Sequence, residues 1–99
     1  MAEYILSEKA LDDLNNIWIY TAESWSVEQA NRHYNLIMDE IEFVAENFET
    51  TKDFGKIRKD YRYSTVKSHL IFYKRVENTE MEVVRILHEK MDVKNRIND

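Results

Sequence analysis

The chain contains no cysteine and no proline, and Gly55 is its only glycine. Because cysteine is absent, neither a disulfide framework nor a thiolate zinc site can form. No part of the 99 residues has the composition of a linker or repeat, so residues 1–99 are expected to form one domain. No apolar stretch approaches the ~20 residues needed to span a bilayer. Met1–Glu8 also lacks the basic flank and apolar run of a signal peptide, so we expect a cytoplasmic protein without a membrane partner.

The charged residues are divided unevenly between the two halves of the chain. Residues 1–50 carry eleven acidic residues against two basic ones, whereas residues 51–99 carry twelve basic residues against eight acidic ones. Such a division suits different partners on different surfaces, and it equally suits a solvated acidic helical face beside a basic sheet rim. The net charge of −5 argues against strong direct binding to nucleic acid.

The first half of the chain predicts two helices. Ser7 is a suitable N-cap, and apolar residues at helical spacing predict a helix that ends near Ser24. Residues 26–29, Ser-Val-Glu-Gln, have the form of a capping box and begin a second helix of about 20 residues. The short link between the helices predicts an antiparallel helical hairpin. The apolar face of the second helix comprises Ala30, Tyr34, Ile37, Met38, Ile41, Val44, Ala45 and Phe48.

Strands are predicted at both ends of the chain. Residues 3–6 predict a short strand, and residues 49–55 predict a loop with Gly55 at a positive-φ position. From Lys56 the side chains alternate with period two. One side of that strand holds Ile57, Lys59, Tyr61 and Tyr63, and the other holds Arg58, Asp60, Arg62 and Ser64.

Two apolar runs, residues 69–76 and 83–87, flank the turn-forming residues 77–79 and predict a β-hairpin. A two-residue turn places Arg85 opposite Phe72 and His69 opposite His88. A three-residue turn places Arg85 opposite Ile71 instead. The polar tail can add a last helical turn. The predicted fold is therefore α+β, in the order β-α-α-β-β-β, with the helical hairpin on one face of a small, mainly antiparallel sheet.

Arg85 stands out because it lies inside an apolar strand. A guanidinium is costly to bury, so this arginine needs a partner or a function. Two structural explanations are open: the head group lies in solvent at a sheet edge, or it pairs with a carboxylate from the helices.

The order and spacing of several segments resemble a known family across nearly the whole chain. The segments are Tyr4-x-Leu6-Ser7, Ala10-x-x-Asp13-Leu14-x-x-Ile17-Trp18-x-Tyr20-Thr21, Trp25-Ser26-x-x-Gln29-Ala30, Ile57-Arg58, Tyr61-Arg62, His69-x-Ile71-Phe72-Tyr73 and Val84-Arg85-Ile86-Leu87-His88-x-x-Met91-Asp92. They resemble the RelE/ParE superfamily of bacterial toxins, and most closely its ParE branch. Relatives commonly have proline and glycine before the sheet and a glycine after the tryptophan, whereas this chain has Ser26 there.

The resemblance implies a type II toxin that is neutralised by a ParD-like antitoxin, as a hetero-oligomer with it or as a homodimer. ParE-like toxins are associated with inhibition of DNA gyrase, which implies a protein inhibitor that is not an enzyme and needs no cofactor. The RelE-like branch instead cuts mRNA in the ribosomal A site. A relative that is no longer toxic and only binds antitoxin is a further alternative.

The predicted target-binding residues are Arg58, Arg62, Arg85 and His88. In a nuclease, the three arginines would bind phosphate and His88 would act as acid or base. No tyrosine follows Arg85 and the chain is acidic, which favours gyrase inhibition over RNA cleavage.

The other histidines and the aromatic residues of the helices are expected to be structural. His69 and His88 could bind a metal, but no third ligand has suitable spacing, so we expect packing and no metal. His33 lies at the border of an apolar helix face and is expected to be structural. The aromatic residues Trp18, Tyr20, Trp25 and Tyr34 are expected in the core and helix junction, or in a groove that receives an antitoxin helix.

Overall fold

The structure, a computed structural model, describes residues 3–50, 52–53, 60–76, 80–91 and 93–97. Its elements are β1 (Glu3–Leu6), α1 (Glu8–Ser24), α2 (Val27–Glu46), a short 3-10 turn (Phe48–Thr50), β2 (Lys52–Asp53), β3 (Arg62–Val66), β4 (His69–Arg75), β5 (Glu80–His88) and α3 (Val93–Ile97). The sheet has the order β1-β5-β4-β3-β2, in which β1 runs parallel to β5 and the other pairs are antiparallel. The predicted α+β fold is confirmed, and the two-residue strand β2 is an addition to it.

Both helices begin where their caps predict. Ser7 Oγ accepts a hydrogen bond from the Ala10 amide at 3.0 Å, and Ser26 Oγ accepts one from the Gln29 amide, also at 3.0 Å. Each serine thereby satisfies an amide that has no partner inside its helix. The first helix ends at Ser24 as predicted. Within the described ranges, no helix has the length and apolarity needed to cross a membrane.

The sheet is covered on both faces. On one face α1 and α2 form the helix-side core, whose buried residues include Leu14, Ile37, Ile41, Val44, Ile71, Tyr73, Met81, Val83 and Ile86. On the other face lies a smaller cluster, the α3-side cluster, built from Tyr61, Phe72, Leu87 and Ile97. Ile97 is only 3% exposed, so the five-residue helix α3 is held by apolar burial.

The predicted alternation of β3 is confirmed where the structure describes it. Tyr61 and Tyr63 pack in or against the α3-side cluster, whereas Ser64 donates a hydrogen bond to Glu40 of α2. The strand begins only at Arg62, because Asp60 has a φ of 69°, which no β-strand residue adopts. The prediction of a continuous strand through Asp60 was therefore wrong. The predictions for Gly55, Ile57, Arg58 and Lys59 lie outside the described residues.

The hairpin contains a β-bulge that neither predicted register anticipated. Near the turn, Tyr73 lies opposite Val83, the register of a three-residue turn. Beyond a shift at Phe72 and Tyr73, Phe72 lies opposite Arg85 and His69 lies opposite His88, the register of a two-residue turn. Each predicted register is thus right on one side of the bulge, and Val84 is the extra residue on β5.

Three aromatic residues expected in the core or helix junction are exposed instead. Trp25 is 76% exposed, Tyr20 69% and Tyr34 38%. Tyr20 lies in the last turns of α1, and Trp25 is its C-cap. The prediction is better for Trp18, which is half-buried and donates from Nε1 to Asn31 Oδ1 at 3.0 Å, joining α1 to α2.

Candidate functional site

The outer edge of β5 is left without a strand partner where β1 ends. The pairing of β1 with β5 stops at Leu6 and Val83. Beyond it, Ser7 donates its amide to the Val83 carbonyl at 3.0 Å and its hydroxyl to the Val84 carbonyl at 2.7 Å. Further along this edge, the Ile86 amide donates to Asp13 Oδ2 at 2.9 Å. Residues at the start of α1 thus satisfy an edge that would otherwise carry unpaired backbone groups.

Arg85 is bound by the same carboxylate. Its Nε donates to Asp13 Oδ2 at 2.8 Å and its Nη2 donates to Asp13 Oδ1 at 3.0 Å, a bidentate pair. Its Nη1 donates to the Arg96 carbonyl in α3 at 3.1 Å. The two charged side chains are only 11% and 13% exposed. Of the two structural explanations, pairing with a helix carboxylate is therefore correct, and Arg85 joins α1, β5 and α3.

The three histidines of the chain come together at the open end of the hairpin. His69 and His88 are cross-strand neighbours whose rings meet edge to face, with centroids 5.3 Å apart. On the other side of His69, its Nδ1 lies 3.1 Å from Nε2 of His33 in α2. Burial, with His33 and His88 adjacent, lowers the pKa of His69 from 6.5 to about 4. The middle histidine is therefore neutral at pH 7.

A groove of about 1250 Å³ connects the histidines with the Arg85 junction. It lies between the end of α1, the start of α2 and the open end of the hairpin. Its apolar and aromatic lining includes Tyr20, Trp25, Ile86 and Met91. Its charged lining includes Lys9, Asp12, Asp13, Lys67, Arg85 and Arg96. The groove therefore offers exposed aromatic rings and charges of both signs, which suits contact with a protein surface.

The structure does not bring the predicted target-binding residues to one surface. Arg85 lies opposite Phe72 and so on the face of the α3-side cluster. The guanidinium of Arg62 stacks at 4.8 Å over the ring of Phe48, on the helix side of the sheet. His88 lines the groove together with Arg85, and Arg58 lies outside the described residues.

Two residues of the site were missed in the sequence. Ala10, Leu14 and Ile17 form an apolar stripe at helical spacing, and Asp13 falls within it. A carboxylate in such a stripe was the available sign of a buried partner. His33 was expected to be structural, but its contact with His69 spans 36 residues of sequence. No local pattern in the sequence could have predicted that contact.

The fold matches a solved structure of the chromosomal ParDE toxin–antitoxin system from P. aeruginosa. The TM-score is 0.76 at 17% identity, covering 89% of this chain and 96% of that one. At this identity the likeness shows the fold.

Sequence comparison gives the family. The model of the family described as the ParE toxin of the type II toxin–antitoxin system parDE matches residues 4–93. Toxin ParE1 of Caulobacter vibrioides is 33% identical over 94 residues, covering 95% of this chain and 96% of the relative. Toxin ParE1 of Mycobacterium tuberculosis is 34% identical over 92 residues, covering 93% and 94%. The chain belongs to the ParE toxin family.

Proposed function

We propose that this ParE-family toxin arrests growth by binding and inhibiting DNA gyrase, and that a ParD-like antitoxin neutralises it in the cytoplasm. It acts as a protein inhibitor, without a chemical step and without a cofactor. The support is the match to the ParE toxin family over residues 4–93. The antitoxin belongs to the same proposal, because the matched family is defined by a toxin–antitoxin pair.

The charges at the site favour inhibition over RNA cleavage. A nuclease needs cations that are free to stabilise the phosphate in the transition state. Here the guanidinium of Arg85 is committed to Asp13 by two hydrogen bonds and to the Arg96 carbonyl by a third. These three hydrogen bonds of the Arg85 guanidinium are the single observation on which the preference for inhibition over RNA cleavage rests.

The proposed contact surface is the groove with the adjoining end of β5 and α3. His88 lies at the end of β5 in the groove lining, where it can contact a partner directly. Arg85 supports this surface from below, because it holds β5 to α1 and α3. Arg62 and Arg58 remain proposed contributors, and the Arg62 guanidinium lies over the Phe48 ring, away from the groove.

The alternative is a ribosome-dependent endoribonuclease of the RelE type. One observation favours it: three histidines line the groove, and imidazoles are suited to move protons at neutral pH. In that alternative His88 is the acid or base, and Arg85, Arg62 and Arg58 bind the phosphate.

A gyrase supercoiling assay with the purified, antitoxin-free chain tests the proposal. We expect loss of supercoiling and accumulation of cleaved plasmid, both reversed by the antitoxin. A parallel reaction with ribosomes and mRNA should show no A-site cleavage. Cleavage that His88→Gln abolishes, without gyrase inhibition, would establish the nuclease instead. Unchanged growth of a sensitive host expressing the chain alone would indicate a relative that binds antitoxin but is not toxic.

A further inference from the structure

Two imidazole nitrogens face one another in the wall of the groove. His33 Nε2 and His69 Nδ1 are 3.1 Å apart. Two nitrogens that bind one tetrahedral metal ion at ~2.0–2.1 Å each must lie about 3.3 Å apart. The two rings are also tilted by 51° with centroids 5.0 Å apart, so they are not stacked face to face. The N···N distance is therefore within a few tenths of an ångström of the spacing of two metal ligands, and binding would also require the two rings to turn so that both nitrogen lone pairs point to the ion.

Both imidazoles are available as neutral ligands. A histidine binds metal only when the coordinating nitrogen carries no proton. Burial lowers the pKa of both histidines, to about 4 for His69, and Lys67 lowers that of His33 further. At neutral pH the hydrogen bond between them needs one ring proton, and a metal ion would replace that proton. The displaced proton moves to the far nitrogen of its own ring, so both ligands stay neutral.

The site has open coordination positions. Within the described ranges, no three His, Cys, Asp or Glu side chains are already arranged to hold a metal ion. His88 is next to His69, but its Nδ1 accepts the Lys90 amide at 3.1 Å and so already has a partner. Because His33 and His69 line the open groove, water or a ligand atom of a bound partner can complete the shell.

We propose that His33 and His69 form a two-imidazole binding site for a divalent transition metal ion of the Zn²⁺ or Cu²⁺ type. Imidazole is a ligand that both ions favour. This site revises the expectation from sequence that the chain binds no metal, since that expectation considered only His69 and His88. His33 and His69 line the groove proposed as the contact surface, but neither is among the proposed target-binding residues, so metal binding is measured on the isolated chain without gyrase.

Calorimetric titration of the metal-free protein with Zn²⁺ alone, at pH 7.5 in a non-coordinating buffer, tests the site. We expect one equivalent to bind with a Kd on the order of 10 µM, because the protein supplies half the ligands of a closed site. His33→Gln and His69→Gln should each weaken binding at least about tenfold, since each leaves one ligand. Imidazole NMR signals of His33 and His69 should shift on binding, with smaller changes at His88.

His88→Gln is the matched control, because it changes the same cluster and leaves the two ligands in place. It should keep the wild-type affinity within about threefold. Thermal unfolding in chelator establishes that each variant folds. If His69→Gln does not fold, the half-buried helix substitution His33→Gln decides alone. Absence of Zn²⁺ binding, equal binding by wild type and His33→Gln, or an equal loss in His88→Gln would each overturn the assignment.

Discussion

Among the polar contacts between the helical hairpin and the sheet, the Asp13–Arg85 junction and the histidine junction differ in how completely their polar groups are satisfied. At the Asp13–Arg85 junction, between α1 and β5, the carboxylate accepts three hydrogen bonds and the guanidinium has a further acceptor in α3. At the histidine junction, between α2 and β4, the rings meet through one hydrogen bond and two ring contacts. The first junction is a closed structural element, whereas the second can change with pH or bind a ligand.

The two junctions differ because they lie in different surroundings. The Asp13–Arg85 junction stands where β1 ends and the β5 amides need partners. A carboxylate with only 13% of its side chain exposed is tolerated there because a bidentate guanidinium and a backbone amide compensate its desolvation. The histidine junction stands at the start of β4, beside the open groove.

The largest expected effect comes from Asp13→Ala. The substitution leaves the Arg85 guanidinium and the Ile86 amide without their acceptor in a nearly buried place. We expect the free energy of unfolding to fall by about 3 kcal/mol, measured by urea denaturation. Asp12→Ala is the control, because the Asp12 side chain is exposed. It should lower the free energy of unfolding by less than about 0.5 kcal/mol. Equal losses for the two variants would show that the carboxylate of Asp13 has no special role.

The second effect is the pH dependence of the histidine junction. The pKa of folded His69 is about 4, below its ordinary 6.5. The unfolded state therefore binds the proton more tightly, so stability is full above about pH 6.5 and falls as the pH drops toward 4. With allowance for screening, we expect a loss on the order of 2 kcal/mol between pH 7 and pH 4.5 that His69→Gln removes.

Denaturation curves at several pH values, in the presence of a chelator, measure this effect. Acidic residues also contribute to the pH profile, so the comparison is the difference between wild type and His69→Gln at each pH. A difference that stays constant from pH 7 to pH 4.5 would show that His69 does not titrate in this range.

A smaller effect is expected from Arg85→Lys. Lysine keeps the charge but has no planar fork, so it loses the bidentate contact with Asp13 and the bond to the Arg96 carbonyl. We expect a loss of about 1 kcal/mol in stability and faster amide exchange in α3, measured by hydrogen exchange. Unchanged exchange in α3 would mean that apolar burial of Ile97 alone holds that helix.

The smallest effect is expected at the surface pair of Glu49 and Arg75. The Glu49 carboxylate is 78% exposed, so water screens the pair. Glu49→Ala should lower stability by less than about 0.5 kcal/mol in the same urea assay. A loss near that of Asp13→Ala would show that burial does not separate the two ion pairs.

Local signals in the sequence predicted most of the fold. The two serine caps and the apolar spacing of α2 act within a few residues, so they could be identified without the tertiary structure. The hairpin was predicted from its apolar runs, but the bulge was not. The bulge places Val84 on the face of the sheet that carries Phe72, and the composition of the turn does not encode that shift.

The site was less predictable because it depends on distant contacts. The sequence singled out Arg85 and offered a helix carboxylate as one possible partner, but it could not choose Asp13, which lies 72 residues away. The third histidine was missed for the same reason. The exposure of Trp25 and Tyr20 could not be inferred from their type, since aromatic residues at helix junctions are commonly buried.

Arg85 stabilises the fold through its contact with Asp13, and a double-mutant cycle measures the strength of that contact. The unfolding free energies of wild type, Asp13→Ala, Arg85→Ala and the double variant would be measured by urea denaturation. We predict a coupling energy of about 2–3 kcal/mol, so the double variant is hardly less stable than either single one. A coupling energy near zero, with additive losses, would show that Asp13 and Arg85 contribute to stability independently and would contradict this role of Arg85.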